Sequence, residues 1–147
     1  MASPEPGSTG GPAPHAPPGQ VALDQPIEPD ALYTLRAAVA AHASATGLPL
    51  RQVEHLVIIA SELATNASRY ARGGRLRLWR DGNRVYCQVS DEGPGLPDPD
   101  QAAASAPPAS APNGRGLWIC RQLADDLEIT SGPTGTSVTA AMDLPVQ

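Results

Sequence analysis

A carboxylate and a carboxamide stand one helical turn apart in the segment Ser61-Glu62-Leu63-Ala64-Thr65-Asn66-Ala67. At i and i+4 on a helix, Glu62 and Asn66 lie roughly 40° apart around the axis, on the side away from the apolar residues. Two oxygen donors so spaced can hold Mg²⁺ or its waters, because that ion takes oxygen ligands and keeps much of its hydration. The carboxylate can equally orient or deprotonate an attacking hydroxyl. The same pair also suits a plain solvated face, so alone it selects no chemistry.

Two glycine-rich segments follow. Asp91-Glu92-Gly93-Pro94-Gly95 comes directly after a strand pattern. An ionised Asp91 accepts hydrogen bonds and suits an exocyclic amine such as that of adenine. Gly93 and Gly95 let backbone approach a flat ring closely. Asn113-Gly114-Arg115-Gly116-Leu117 opens a helix pattern. Gly-rich backbone at a helix N-terminus offers unpaired N–H groups and a positive dipole end to phosphates, and Arg115 adds a cation. It is no P-loop, because the Lys-Ser/Thr is absent. Each segment taken alone also reads as an ordinary turn.

These residues need elements to hold them. Val21 and Leu23 start an edge strand that Pro26 and Pro29 are expected to cut short. Asp30 is placed to cap a helix carrying Leu32, Leu35 and Val39 that ends near Gly47. A second helix opens with Pro49 in its first turn and runs to about Ala71. On it Val53, Leu56, Val57, Ala60, Leu63, Ala64 and Ala67 share one face, while Ile58 and Ile59 fall on the side of Glu62, so something should cover part of that side.

Leu76 and Leu78, then Val85, Cys87 and Val89, alternate with polar residues across an Asp81-Gly82-Asn83 hairpin signal. A loop of Gly, Pro and Ala over about 92–113 is long enough to be a lid. A third helix over about 115–126 and two closing strands over 127–131 and 137–144 complete the pattern. The fold class is therefore α+β: a two-layer sandwich, its mixed and mostly antiparallel sheet carrying helices on one face.

Composition limits the partners. The chain has 147 residues and a net charge of −5, of which −4 falls in residues 1–30, so the body is nearly neutral. A general nucleic-acid binder would be more basic. No apolar run approaches the roughly 20 residues that span a bilayer, and the N-terminus lacks the basic start and apolar core of a signal peptide. Cys87 and Cys120 form neither a disulfide framework nor a metal pattern, which suits the cytoplasm, and both fall at core positions as small hydrophobes. Residues 1–19 are Pro, Gly, Ala and Ser with little to bury; they read as a disordered tail whose deletion leaves the melting temperature unchanged. The domain proper is expected over 20–147.

Arg69, Arg72, Arg75, Arg77, Arg80 and Arg84 make residues 69–84 locally basic around Asp81. With Trp79 and Tyr86 on the outward strand face, this reads as a solvated surface, an acidic protein contact or a dimer contact. His55 reads as solvent-facing.

Taken in order, Glu-x-x-x-Asn on a helix, a hairpin ending in Asp-x-Gly-x-Gly, a long loop and Gly-x-Gly opening a helix resemble the GHKL (Bergerat-fold) ATPase superfamily. The form Ser-Glu-Leu-x-Thr-Asn-Ala followed by Arg-Tyr-Ala is similar to that of bacterial anti-sigma-factor serine/threonine kinases, with Tyr70 where many relatives have His. The resemblance covers about residues 20–144 and implies a histidine kinase-like ATPase fold, with ATP and Mg²⁺ as ligands. It implies Mg²⁺ at Asn66, a general base at Glu62 and adenine recognition at Asp91 with Gly93 and Gly95. Gly114 and Gly116 fall in the second glycine box over the phosphates, together with Arg115 and Leu117. The partners it implies are an anti-sigma-factor antagonist of STAS-like fold, a sigma factor, and a second copy in a homodimer. The function it implies is phosphorylation of Ser/Thr on the antagonist, sequestration of a sigma factor, or both; the alternative is a degenerate Bergerat module that regulates a partner without kinase activity.

Overall fold

The alternation of apolar residues in the strands puts one row of side chains under three helices. The computed structural model describes residues 21–70, 74–92 and 115–145, with the side chains of residues 69, 70 and 115 left aside. Its elements are β1 (Val21–Ile27), α1 (Leu32–Ala45), α2 (Leu50–Tyr70), β2 (Gly74–Asp81), β3 (Arg84–Asp91), α3 (Arg115–Leu123), β4 (Asp126–Gly132) and β5 (Gly135–Asp143). The strands form one sheet in the order β1-β2-β3-β5-β4. All four pairings are antiparallel, so the expected mixed sheet is purely antiparallel among the described residues.

The core is the interface between sheet and helices. Leu76 and Leu78 of β2, Val85, Cys87 and Val89 of β3, Val138, Ala140 and Met142 of β5, and Leu127 of β4 meet the helices there. From above come Leu35, Val39 and Ala43 of α1, and Val53, Leu56, Ala60, Leu63, Ala64 and Ala67 of α2. The predicted α2 face is thus the buried one, with Val57 partly buried at its margin. Ile59, assigned to the opposite side, is also fully buried. α3 packs along that flank, and the Cys120 thiol lies 3.8 Å from the Ile59 carbonyl oxygen. Ile58 stays exposed.

Three local expectations change. β1 runs through Pro26 to Ile27, because an edge strand loses nothing when the missing N–H faces away from its only neighbour. Asp30 does not cap α1: it sits in a 3-10 turn over Pro29–Ala31, the helix starts from Ala31, and no side chain caps it. The third helix stops at Leu123, and Leu127, expected at its end, is a buried β4 residue. The β2–β3 turn is as expected. Gly82 takes φ +63° in a two-residue loop whose other member, Asn83, stays at negative φ, the pattern of a type II′ turn.

The outer face of the sheet is less exposed and less charged than its sequence suggests. Trp79 is fully buried and stacks on Tyr86, with ring centroids 5.2 Å apart. Asp24 of β1 pairs with both Arg75 and Arg77, and Arg84 pairs with Asp143 and Asp126. Arg80 turns to the other side and donates to the Thr46 carbonyl at 2.8 Å. The side chain of Arg69 and all of Arg72 lie outside the described residues, as do residues 1–20 and the 93–114 stretch expected to be a lid.

Leu56 is fully buried at the centre of the helix–sheet interface. Leu56→Ala should therefore cost about 2–5 kcal/mol by lost burial and a residual cavity. Ile58→Ala, two residues on, on the opposite side of the helix and exposed, should change stability by less than about 0.5 kcal/mol. Urea unfolding of the two variants measures the contrast.

Candidate functional site

α2 presents Glu62 and Asn66 on its flank toward α3, and both converge on one residue. A Cβ built on Gly116 would stand 2.7 Å from Glu62 Oε1 and 3.5 Å from Asn66 Nδ2. Gly116 is buried in the first turn of α3, so the Glu62 carboxylate lies against that helix's N-terminal end, where unpaired N–H groups and the dipole favour negative charge. A larger residue at 116 would displace the carboxylate. Leu117 is buried in the core, which leaves only its backbone to face the site. Gly114 and the Arg115 side chain lie outside the described residues.

On the helix itself, the Thr65 hydroxyl donates back to the Ser61 carbonyl at 2.7 Å. Arg36 of α1 donates from Nη1 to the Ser61 hydroxyl at 3.4 Å, bringing a guanidinium beside the residue that precedes Glu62. Sequence reasoning did not single out Arg36, because nothing local relates it to a residue 25 positions away.

Asp91 forms a second focus at the end of β3, where β2 and β5 flank it with Gly74 and Thr136. The Thr136 N–H donates to Asp91 Oδ1 at 3.3 Å. Beside it, a Cβ on Gly135 would fall 2.2 Å from the Asp91 carbonyl oxygen, so only glycine permits this approach of two backbones. On the other side Gly74 lets β2 pass under α2, its missing Cβ 3.3 Å from that of Ala67. Ala67 follows Asn66 directly, so Gly74 and Ala67 link the two foci. Gly93 and Gly95 lie outside the described residues. Thr136 was missed by sequence reasoning; the one available signal was a Gly-Thr pair opening a strand after a tight turn.

Residues 25–142 match the model of the histidine kinase-like ATPase domain. The chain belongs to that family. No curated protein shows a significant match to the sequence. Among solved structures, the domain is similar to the RsbU and RsbW domains of Rv1364c from Mycobacterium tuberculosis, with TM-score 0.61, 20% identity, and coverage of 83% of this chain and 31% of that one. It is also similar to the histidine kinase domain of the Erythrobacter litoralis EL346 blue-light activated histidine kinase, with TM-score 0.54, 25% identity, and coverage of 75% and 65%. The chain thus spans less than two thirds of the length of either.

Membership in an ATPase family implies nucleotide binding, and the donor set suits it. A carboxylate between two glycine-lined backbone approaches, and a carboxylate–carboxamide pair against a glycine at a helix start, are cradles that side chains would fill. Among the described residues no group of three or more His, Cys, Asp or Glu could hold a metal. No described helix is long and apolar enough to cross a membrane.

Beneath the site lie two thiols without chemistry of their own. Burial pushes the Cys87 thiol from an ordinary value of 9.0 up to about 12. Cys120 is pushed up by burial first, then by the charges of Glu62 and Cys87. Both stay protonated and inert at neutral pH.

Two predictions follow from this geometry. Gly116→Ala meets the tip of a flexible side chain and gains helix propensity, so it should hold or raise the melting temperature. Gly135→Ala meets backbone and should lower it; calorimetric melting of both variants reads the difference. Second, the folded thiols ionise above their unfolded value, so their contribution is fully present below pH 9 and is lost as pH rises toward 12. The urea midpoint should fall over that range, and fall less steeply in Cys87→Ala.

Proposed function

We propose that this domain binds Mg-ATP and transfers the γ-phosphoryl group to a Ser or Thr hydroxyl of a regulatory protein, an anti-sigma-factor antagonist of STAS-like fold. The observation that carries the reading is the convergence of Glu62 and Asn66 on Gly116 at the start of α3. Asp91, oriented by the Thr136 N–H, accepts from the adenine amino group. Gly93 and Gly95 shape that side of the pocket, while Gly114, Arg115 and Gly116 attend the phosphates. Asn66 would hold Mg²⁺ by its side-chain oxygen, and the ion would supply neutralisation of phosphate charge. Glu62 accepts the proton of the attacking hydroxyl as its oxygen bonds to the γ-phosphorus, and ADP leaves with the electrons of the broken P–O bond.

A protein substrate is favoured by what surrounds the base. Ile58, 43% exposed, precedes Glu62 by one turn on the same side of α2 and gives a partner an apolar foothold next to the carboxylate. The same foothold supports a second role, sequestering a sigma factor in the cytoplasm.

Titration calorimetry with Mg-ATP, paired with a phosphotransfer assay on the antagonist, tests the assignment. Asp91→Ala should abolish nucleotide binding. Glu62→Ala should keep binding and lose phosphotransfer by about 10²-fold or more. Phosphotransfer that persists undiminished in Glu62→Ala removes the base assignment. Nucleotide binding absent from the wild type leaves a Bergerat module that regulates its partner without ATP.

A further inference from the structure

Three sides of α2 are packed. Its apolar face lies on the sheet, Ile59 on one flank meets Cys120 of α3, and Ser61 on the other meets Arg36 of α1. The fourth side carries a strip of Arg51, His55, Ile58 and Glu62, which at 100° per residue fall within about 60° of one another around the axis. Arg51 is exposed, Ile58 is 43% exposed, and His55 and Glu62 are half-buried. Arg51 enters none of the ion pairs among the described residues. Glu54 lies about 80° round from Glu62, toward the α1 flank and off the strip.

The spacing along this strip matches an extended peptide. A helix rises about 1.5 Å per residue, so Ile58 stands about 6 Å from Glu62 along the axis, His55 about 10.5 Å and Arg51 about 16.5 Å. An extended chain rises about 3.3 Å per residue and returns to the same face at every second residue. With a hydroxyl residue at Glu62, the residue two positions away falls about 6.6 Å along and meets Ile58. The residue four positions away falls about 13 Å along, between His55 and Arg51. Both side chains offer N–H donors, and the guanidinium adds a fixed positive charge, so a carboxylate suits that place.

We propose that this strip selects the protein substrate, an inference that rests on the kinase reading above. An extended segment of the substrate lies along α2 with its target Ser or Thr at Glu62. An apolar residue two positions away covers Ile58, and an acidic residue four positions away pairs with Arg51 and His55. Ile58 and Arg51 are then specificity residues, and neither touches the nucleotide.

The test uses the full chain, Mg-ATP and nonapeptides with a central Ser in an Ala background. Leu is placed two positions from the Ser and Glu four positions from it, singly and together, on either side. On one of the two sides Leu should raise kcat/KM roughly tenfold over Ala, and Glu about threefold. Arg51→Glu should turn the preference at the fourth position from Glu to Lys, and Ile58→Asp that at the second from Leu to Lys. A purely structural role for either residue would not reverse a preference. The same peptides with Ala for the Ser, labelled with fluorescein, report binding without transfer by anisotropy. Selective binding without transfer leaves the strip standing and removes the kinase reading. Transfer without selection at these positions, or selection unaltered in both variants, overturns the strip and leaves the kinase reading standing. Binding and transfer absent with every peptide overturn the strip too, while the kinase reading is decided on the whole antagonist.

Discussion

The seat of α2 is the constraint on which the site depends. Its apolar face, from Val53 to Ala67, is held against the sheet, and its flank at Ile59 is held by α3. With two sides fixed, the helix cannot rotate, and Glu62 and Asn66 are aimed by packing alone. Close packing has little slack, so a residue of ordinary size at 116 or 74 would move either the carboxylate or the strand beneath it. The glycines at these places are thus set by volume, and conformational freedom is secondary: Gly74 and Gly116 have no positive φ.

What could be seen in the sequence was what repeats locally. The α2 face, the two hairpins, the Gly82 turn and the core positions of both cysteines follow from periodicity and turn chemistry, which depend on near neighbours. The departures arise where a distant element decides. Ile59 looks misplaced on a helical wheel until α3 covers it. Trp79 looks exposed by alternation because alternation assigns a face and says nothing of what lies over that face. Pro26 looks like a breaker even in an edge strand, because local sequence does not say which way its missing N–H faces. The charge of the 69–84 stretch looks unopposed because Asp24, Asp126 and Asp143 reach it only through the pairing of β1, β4 and β5.

The same division runs through the candidate site. Glu62 and Asn66 are related by one helical turn, so their partnership is legible. Asp91 is legible as a carboxylate ending a strand before glycines. Its orientation is not, because Thr136, 45 positions away, and its neighbour Gly135 come to it through the β3–β5 pairing. Strand order is a global property of the fold. A Gly-Thr pair acquires meaning only once β5, rather than β4, is known to lie beside β3.

On the proposed reading, electrostatics give this site a use for a cation. The side chains gathered here among the described residues are two carboxylates, Glu62 and Asp91, and one carboxamide, Asn66. Glu62 already occupies the positive end of α3, the place a phosphate would use. A polyphosphate approaching this arrangement meets like charge at short range, where screening by salt is least effective. Arg36, held at Ser61, supplies one opposing charge from outside the pocket, and the sequence places Arg115 at the helix start. In the proposed function, a divalent ion on Asn66 would add compensation between phosphate and carboxylate. Glu62, as the proposed base, and a nucleotide could then share one helix end. An amide at position 66 is suited to that task, since it offers the ion an oxygen without adding a third negative charge to the two already present.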